Sequence, residues 1–82
     1  MVMYEAGMLA RSKAGHDKAQ MYIIKEVDDT YVYLVGGRIR TLGHPKKKKK
    51  KHVQIVHGIY NMKELDDAGI RKLIKDWMKE EK

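Results

Sequence analysis

The sequence predicts a mainly β fold, a small barrel followed by one amphipathic α-helix. Short runs rich in Val, Ile, Leu and Tyr are separated by Gly- and Asp-bearing turns, a pattern typical of small all-β units. The apolar residues change to a helical period only near the C-terminus. At 82 residues, the chain is long enough for one domain with a modest core.

The first predicted strands lie in the N-terminal half of the chain. A short extended segment is predicted at 7–12, followed by a loop around Gly15, a residue that tolerates positive φ. β-branched and aromatic residues predict strands over 21–27 and 31–35, with a tight turn at 28–30. Because both faces of this hairpin are largely apolar, we expect the sheet to curl around a core.

Two further strands are predicted after the hairpin. Residues 38–42 are predicted to form a short strand whose alternation would place Arg38 and Arg40 on one face. Pro45 then ends regular structure before a run of lysines. The last strand is predicted over 52–56.

The C-terminal segment, 63–82, is predicted to form an amphipathic helix packed on the barrel. Its apolar residues recur at intervals of three and four and are Ile70, Leu73, Ile74, Trp77 and Met78. We expect the helix to extend over 67–79, with Asp66 or Asp67 as its N-cap. Trp77 is expected to anchor the helix against the barrel.

Positive charge is concentrated in the first part of the chain. Residues 1–62, the predicted barrel domain, hold 12 Lys and Arg against 5 Asp and Glu, whereas residues 63–82 hold 6 of each. Six consecutive lysines, Lys46 to Lys51, lie in a predicted basic loop at 43–52, and without them the formal net charge of +7 would be +1. Because a block of like charges resists burial and attracts polyanions, this loop predicts a polyanionic partner.

One region of the chain resembles a known family. Residues 12–27, Ser-Lys-Ala-Gly-His-Asp-Lys-Ala-Gln-Met-Tyr-Ile-Ile-Lys-Glu-Val, followed by Tyr-Val-Tyr-Leu-Val at 31–35 and Gly-Arg-Ile-Arg at 37–40, resemble a KOW motif. KOW modules occur in large-subunit ribosomal proteins and transcription elongation factors. The region 6–56 looks most like bacterial relatives of the KOW-containing large-subunit ribosomal proteins of archaea and eukaryotes. The resemblance implies an SH3-like β-barrel of the KOW type that binds ribosomal or other structured RNA.

The predicted function is non-catalytic RNA binding through the basic loop and the Gly15 loop, with ribosomal RNA or the ribosome as partner. Lysines release counterions when they meet phosphates, and arginines offer forked donors. The role of the residues around Gly15 is implied by the resemblance. The side chains expected to contact RNA are basic and lie in or beside these loops: Lys13, His16, Lys18, Arg38, Arg40, Lys46, Lys47, Lys48, Lys49, Lys50, Lys51 and His52.

Tyrosines are a second candidate RNA contact, since exposed rings among basic residues stack on unpaired bases. The candidates are Tyr22, Tyr31, Tyr33 and Tyr60. Because the chain has no Phe, we expect most of these rings to lie in the core or half-buried on strands. Tyr60, which lies outside the hairpin, is the preferred stacking candidate.

Catalytic and metal-dependent functions have no support in the sequence. It has no phosphate-binding loop, dinucleotide fingerprint, activated nucleophile or paired carboxylates, so we expect no enzyme activity and no cofactor. Four histidines without compact spacing and without any cysteine predict no metal site. With no signal-peptide pattern and no apolar run of about 20 residues, we expect a cytoplasmic protein with no membrane partner.

Other functions stay open at this point. The chain would also suit a protein-interaction adaptor that uses the barrel rim or helix face, or a general nucleic-acid binder that includes double-stranded DNA among its ligands. A lysine run also resembles nuclear-localisation signals and lipid-binding segments. Its position between two predicted strands, rather than on a tail, favours the RNA hypothesis. The sequence leaves the oligomeric state open, with a monomer favoured.

Overall fold

The structure, a computed structural model, describes residues 3–13, 20–36 and 40–80, without the side chains of 57–59 and 78–80. The elements within these residues are β1 (Met8–Ser12), β2 (Met21–Val27), β3 (Tyr31–Val35), β4 (Lys46–Lys49), β5 (Val53–Ile59) and α1 (Asp67–Glu80). Short 3₁₀ turns precede and follow β5. The fold is mainly β with one C-terminal helix, as the sequence predicts.

The strands form one antiparallel sheet that curls into a half-barrel. Its order is β4-β3-β2-β1-β5, so β4 and β5 lie at opposite edges although only the turn Lys50–His52 joins them. In a flat five-stranded sheet these edges would lie about 19 Å apart. The chain from Lys49 to Val53 reaches at most about 14 Å. The sheet therefore has to curl, which confirms the expectation from the apolar hairpin and is consistent with a small SH3-like barrel.

Each face of the curled sheet packs a hydrophobic cluster. The outer face, which carries Leu9, Ile23 and Val35, is covered by Ile70 and Ile74 of α1. The opposite face carries the second cluster, whose buried members all lie on strands: Ala10, Tyr22, Ile24, Val32, Leu34 and Val53. Alternation along each strand produces this division, because successive side chains point to opposite faces.

The helix is fixed by its first turn and by its apolar stripe. Asp66 is the N-cap: its carboxylate accepts the Gly69 N–H at 2.7 Å and its carbonyl accepts the Ile70 N–H at 2.9 Å. A carboxylate of Asp67 accepts the Leu42 N–H at 2.8 Å, which ties the segment before β4 to the helix. Trp77 packs against the outer-face cluster, as expected of the helix anchor.

Gly7 has a positive φ, a conformation that glycine adopts more readily than other residues do. Its φ is 95°, its N–H donates to the Ile24 carbonyl at 2.7 Å, and its own carbonyl accepts the Tyr60 N–H at 2.8 Å. The residue therefore joins the chain before β1 to β2 on one side and to the end of β5 on the other.

The segment from 40 to 52 differs from the prediction. The basic loop predicted at 43–52 is wrong, because Lys46–Lys49 form strand β4 and Lys50–His52 form a 3₁₀ turn. Lysine is depleted in strands, so the local sequence does not predict β4. Its extended conformation comes from pairing with β3. Residues 40–42 are not a strand, while residues 38 and 39 lie outside the described residues.

Candidate functional site

The lysine strand β4 is an edge of the sheet, and among the described strands it pairs with β3 alone. Lys47 and Lys49 are exposed, whereas Lys46 and Lys48 are half-buried. Cross-strand partners share a face of the sheet. The partners across β3 and β4 are Tyr31 with Lys49, Val32 with Lys48, Tyr33 with Lys47, and Leu34 with Lys46.

The pairing creates a mixed aromatic and basic surface on the outer face, which we name the Tyr–Lys face: Tyr31, Tyr33, Lys47 and Lys49. Both tyrosines are half-exposed and lie outside the two hydrophobic clusters. The Nζ of Lys47 lies 4.3 Å from the centre of the Tyr31 ring. At an exposed site such a cation–π contact contributes about 0.5–1 kcal/mol. The side chains of this face are therefore held to each other only by a weak contact and are accessible to solvent.

Asp28 supports one side of the Tyr–Lys face. Its carboxylate accepts the N–H groups of Tyr31 at 2.7 Å and Thr30 at 3.0 Å, and it accepts the Tyr33 hydroxyl at 3.1 Å. The backbone donor of Tyr31, then that of Thr30, holds the pKa of Asp28 below its usual value. The same contact with Asp28 raises the pKa of the Tyr33 hydroxyl. These bonds close the β2–β3 turn and orient the Tyr33 ring.

The turn Lys50–His52, here called the lysine turn, is held by several hydrogen bonds of Lys50. Its N–H donates to the Thr30 carbonyl at 3.0 Å and its Nζ donates to the Asp29 carbonyl at 3.1 Å. Its carbonyl accepts the Tyr4 hydroxyl at 2.9 Å. Lys50 therefore has a structural role in joining β4 to the β2–β3 turn, besides contributing positive charge.

An open cleft of about 360 Å³ lies between the lysine turn and the β2–β3 turn. Its lining residues are Asp29, Thr30, Lys49, Lys50 and Lys51. Three of these five side chains are cationic, so the potential in the cleft favours an anionic group such as a phosphate.

The remaining predicted site residues lie at the two ends of β4 or outside the described residues. The N–H of exposed Lys13 donates to the His52 carbonyl at 2.8 Å, so the end of β1 meets the lysine turn. Exposed Arg40 accepts the Gly36 N–H on its carbonyl at 2.7 Å, near the Lys46 end of β4. His16, Lys18 and Arg38 lie outside the described residues.

The structure assigns the tyrosines differently from the sequence analysis. The Tyr60 hydroxyl accepts the Trp77 Nε1–H at 2.7 Å, and its ring packs against the cluster beneath α1. Tyr60 therefore packs against the helix, whereas Tyr31 and Tyr33 lie outside both clusters. The signal for Tyr31 and Tyr33 was the alternation of Tyr-Val-Tyr-Leu-Val, which places both rings on one face.

The described residues offer no group suited to a metal ion. No three His, Asp or Glu side chains among them come together as potential ligands. Within the same residues, α1 is too short and too polar to cross a bilayer, and no other helix is longer.

No family model matches the chain, and no curated protein matches it in sequence. The resemblance to KOW modules therefore stays a prediction. The features that bear on function are the charge and geometry of β3, β4 and the lysine turn.

Proposed function

We propose that the chain is a non-catalytic RNA-binding protein, with ribosomal RNA or the assembled ribosome as its partner. In this proposal it is a KOW-type module that acts as a monomer in the cytoplasm. The contact surface follows β4 and the lysine turn, and it extends to Lys13 at one end and Arg40 at the other.

The observation that supports the proposal most directly is that four of the six lysines, Lys46 to Lys49, form a paired strand. Pairing with β3 fixes the backbone of these four lysines before any ligand binds, so binding has to order only their side chains. Alternate lysines on a strand lie about 7 Å apart on one face, which gives a regular row of positive charge. Lysine ammonium groups accept many phosphate geometries, so a row of this kind suits a nucleic-acid backbone more than one defined small anion.

The charge distribution adds a second argument. The helix segment 63–82 is neutral overall, whereas the barrel segment carries the net positive charge. A polyanion is therefore attracted to one side of the molecule, and each phosphate contact releases condensed counterions. Binding should weaken steeply as salt concentration increases.

The test measures the affinity of a labelled ribosomal RNA fragment across a salt series. A variant with Lys47, Lys49 and Lys51 replaced by Gln is compared with a control that replaces Lys63, Lys72 and Lys75 by Gln. Both variants lose three positive charges from exposed positions. We expect the first variant to bind more weakly and its salt slope to decrease by about 2, since each single-strand phosphate contact contributes about 0.7. We expect the control to keep the wild-type slope.

Equal losses in the two variants would contradict a localised surface and indicate attraction by net charge alone. Co-sedimentation with ribosomes, with and without nuclease, extends the test to the proposed partner. A partner protein that stays bound after complete RNA digestion would favour an adaptor function instead.

A further inference from the structure

We propose that the Tyr–Lys face binds unpaired bases by stacking, so that the protein prefers single-stranded RNA to duplex RNA. This inference rests on the proposed RNA-binding function and adds to it the form of RNA that is recognised. The lysine row by itself would bind either form.

The two rings of the Tyr–Lys face lie together beside the lysine strand. Tyr31 and Tyr33 lie on alternate positions of β3, about 7 Å apart, on the outer face of the sheet. Among the outer-face residues of β3, only Val35 belongs to the cluster that α1 covers. Elsewhere on β3, the described apolar side chains are buried in one of the two clusters. Two large rings left half-exposed beside a lysine strand therefore form an aromatic surface with phosphate-binding groups next to it.

The Tyr33 ring is held in place by a hydrogen bond of its hydroxyl. Asp28 accepts the Tyr33 hydroxyl and also two N–H groups of the β2–β3 turn, so the ring and the turn share one anchor. A ring that is already oriented loses little conformational freedom when a base stacks on it. A loop tyrosine would lose more.

Lys47 makes a cation–π contact with the ring of Tyr31. The ammonium of Lys47 occupies a position over this ring, at 4.3 Å from its centre. The lysine is exposed and flexible, so a base can replace its ammonium over the ring. The displaced ammonium stays beside the bound nucleotide and is available to its phosphate. The contact therefore shows that one face of the Tyr31 ring is open to a group that packs over it.

The preference for single strands follows from where bases are accessible. In a duplex, the bases are stacked on each other and paired, so their flat surfaces are hidden from a protein ring. A single strand can place successive bases on Tyr31 and Tyr33 while its phosphates meet Lys47 and Lys49. Stacking adds an affinity that salt does not screen, whereas the lysines contribute to both RNA forms.

The experiment compares a labelled single strand of about 12 nucleotides, within the usual site size, with a hairpin duplex of the same strand. The variant Y31T/Y33T keeps strand-favouring residues and removes both rings. We expect wild-type protein to bind the single strand more tightly than the duplex. We expect the variant to lose about 10-fold or more on the single strand, little on the duplex, and to keep the wild-type salt slope.

Two controls keep the outcomes distinct. The variant Y33F keeps the ring and removes only the hydroxyl, so it should bind much more tightly than Y31T/Y33T. Nuclear Overhauser contacts between the rings of Tyr31 or Tyr33 and base protons, measured on wild-type protein, test stacking even if the double variant unfolds.

Wild-type protein that binds both RNA forms equally, or rings that show no base contact, would overturn the stacking proposal while RNA binding stands. Wild-type protein that binds neither form would instead overturn the proposed function, and the stacking proposal with it.

Discussion

The outer face of the sheet has two parts that differ in chemistry. Beneath α1 it carries Leu9, Ile23 and Val35, all fully buried. Further along β3, beyond this helix-covered cluster, it carries the half-exposed rings of Tyr31 and Tyr33 beside exposed lysines of β4. A single face thus changes from a packing surface to a polar, aromatic one within one strand. The helix-covered part of the face therefore stabilises the fold, whereas the Tyr–Lys face is accessible to a ligand.

The largest effect on stability is expected from Ile70→Ala, in the helix that covers the apolar part. Ile70 is fully buried against the outer-face cluster, and deletion of such a side chain costs about 2–5 kcal/mol of unfolding free energy. Urea unfolding measures the change, and Arg71→Ala on the exposed side of α1 is the matched control, with a change within about 0.5 kcal/mol. A loss below about 1 kcal/mol would mean that α1 contributes little to the fold, and the comparison would fail.

A smaller effect is expected from Asp66→Ala, which removes the cap of the same helix. The substitution deprives the Gly69 N–H of its acceptor and should lower the unfolding free energy by about 1 kcal/mol. Asp76→Ala, at an exposed position within α1, removes the same charge without touching the cap. Thermal melts of both variants measure the change in stability. We expect Asp66→Ala to lower the melting temperature more than Asp76→Ala and to leave RNA affinity unchanged. An equal effect in the two variants would contradict the capping role.

The smallest effect is expected at the edge of the Tyr–Lys face, from the pH dependence of Asp28. The pKa of Asp28 is lower in the folded protein than the ordinary aspartate value of 3.8. Its contribution to stability is therefore fully present above pH 3.8 and is lost as pH falls through the lower folded pKa. Unfolding measured over this acidic range should show a shallower loss in Asp28→Asn than in wild type. Asp29→Asn, which removes the same charge next to it, should keep the wild-type slope.

The alkaline side of the same contact has the opposite sign. Because the pKa of Tyr33 is raised above the ordinary tyrosine value of 10.0, the contribution of its hydroxyl is present below pH 10.0 and is lost as pH rises through the folded pKa. Tyr33→Phe should remove this alkaline component. If Tyr33→Phe and Asp28→Asn both left the pH profile unchanged, the contact between the two side chains would not exist in solution.

The sequence was sufficient for those elements whose residues carry their own preference. Strands β2 and β3 have the predicted bounds because β-branched and aromatic residues favour extended backbone. Helix α1 begins at the predicted residue and ends one residue beyond the predicted end. It was predictable because its apolar period and its capping aspartate are both local signals.

Strand β4 and the Tyr–Lys face were not predictable in this way. Four lysines carry no strand preference, and their conformation is determined by pairing with residues of β3 that lie 12 to 18 positions earlier in the sequence. The opposition of Tyr33 to Lys47 and of Tyr31 to Lys49 depends on that register. The sequence therefore identified the charge and the rings separately, and the structure supplies their juxtaposition.

The position of β4 at the edge of the sheet also has a consequence for solubility. An edge strand presents unpaired backbone groups that invite pairing with another chain, and lysines discourage such pairing through charge repulsion. If two copies met along β4, they would bring two rows of lysines within about 5 Å of each other. A bound polyanion would neutralise this repulsion. The concentration at which the protein self-associates should then depend on how much polyanion is present, and it should be lowest where the lysine charge is just balanced.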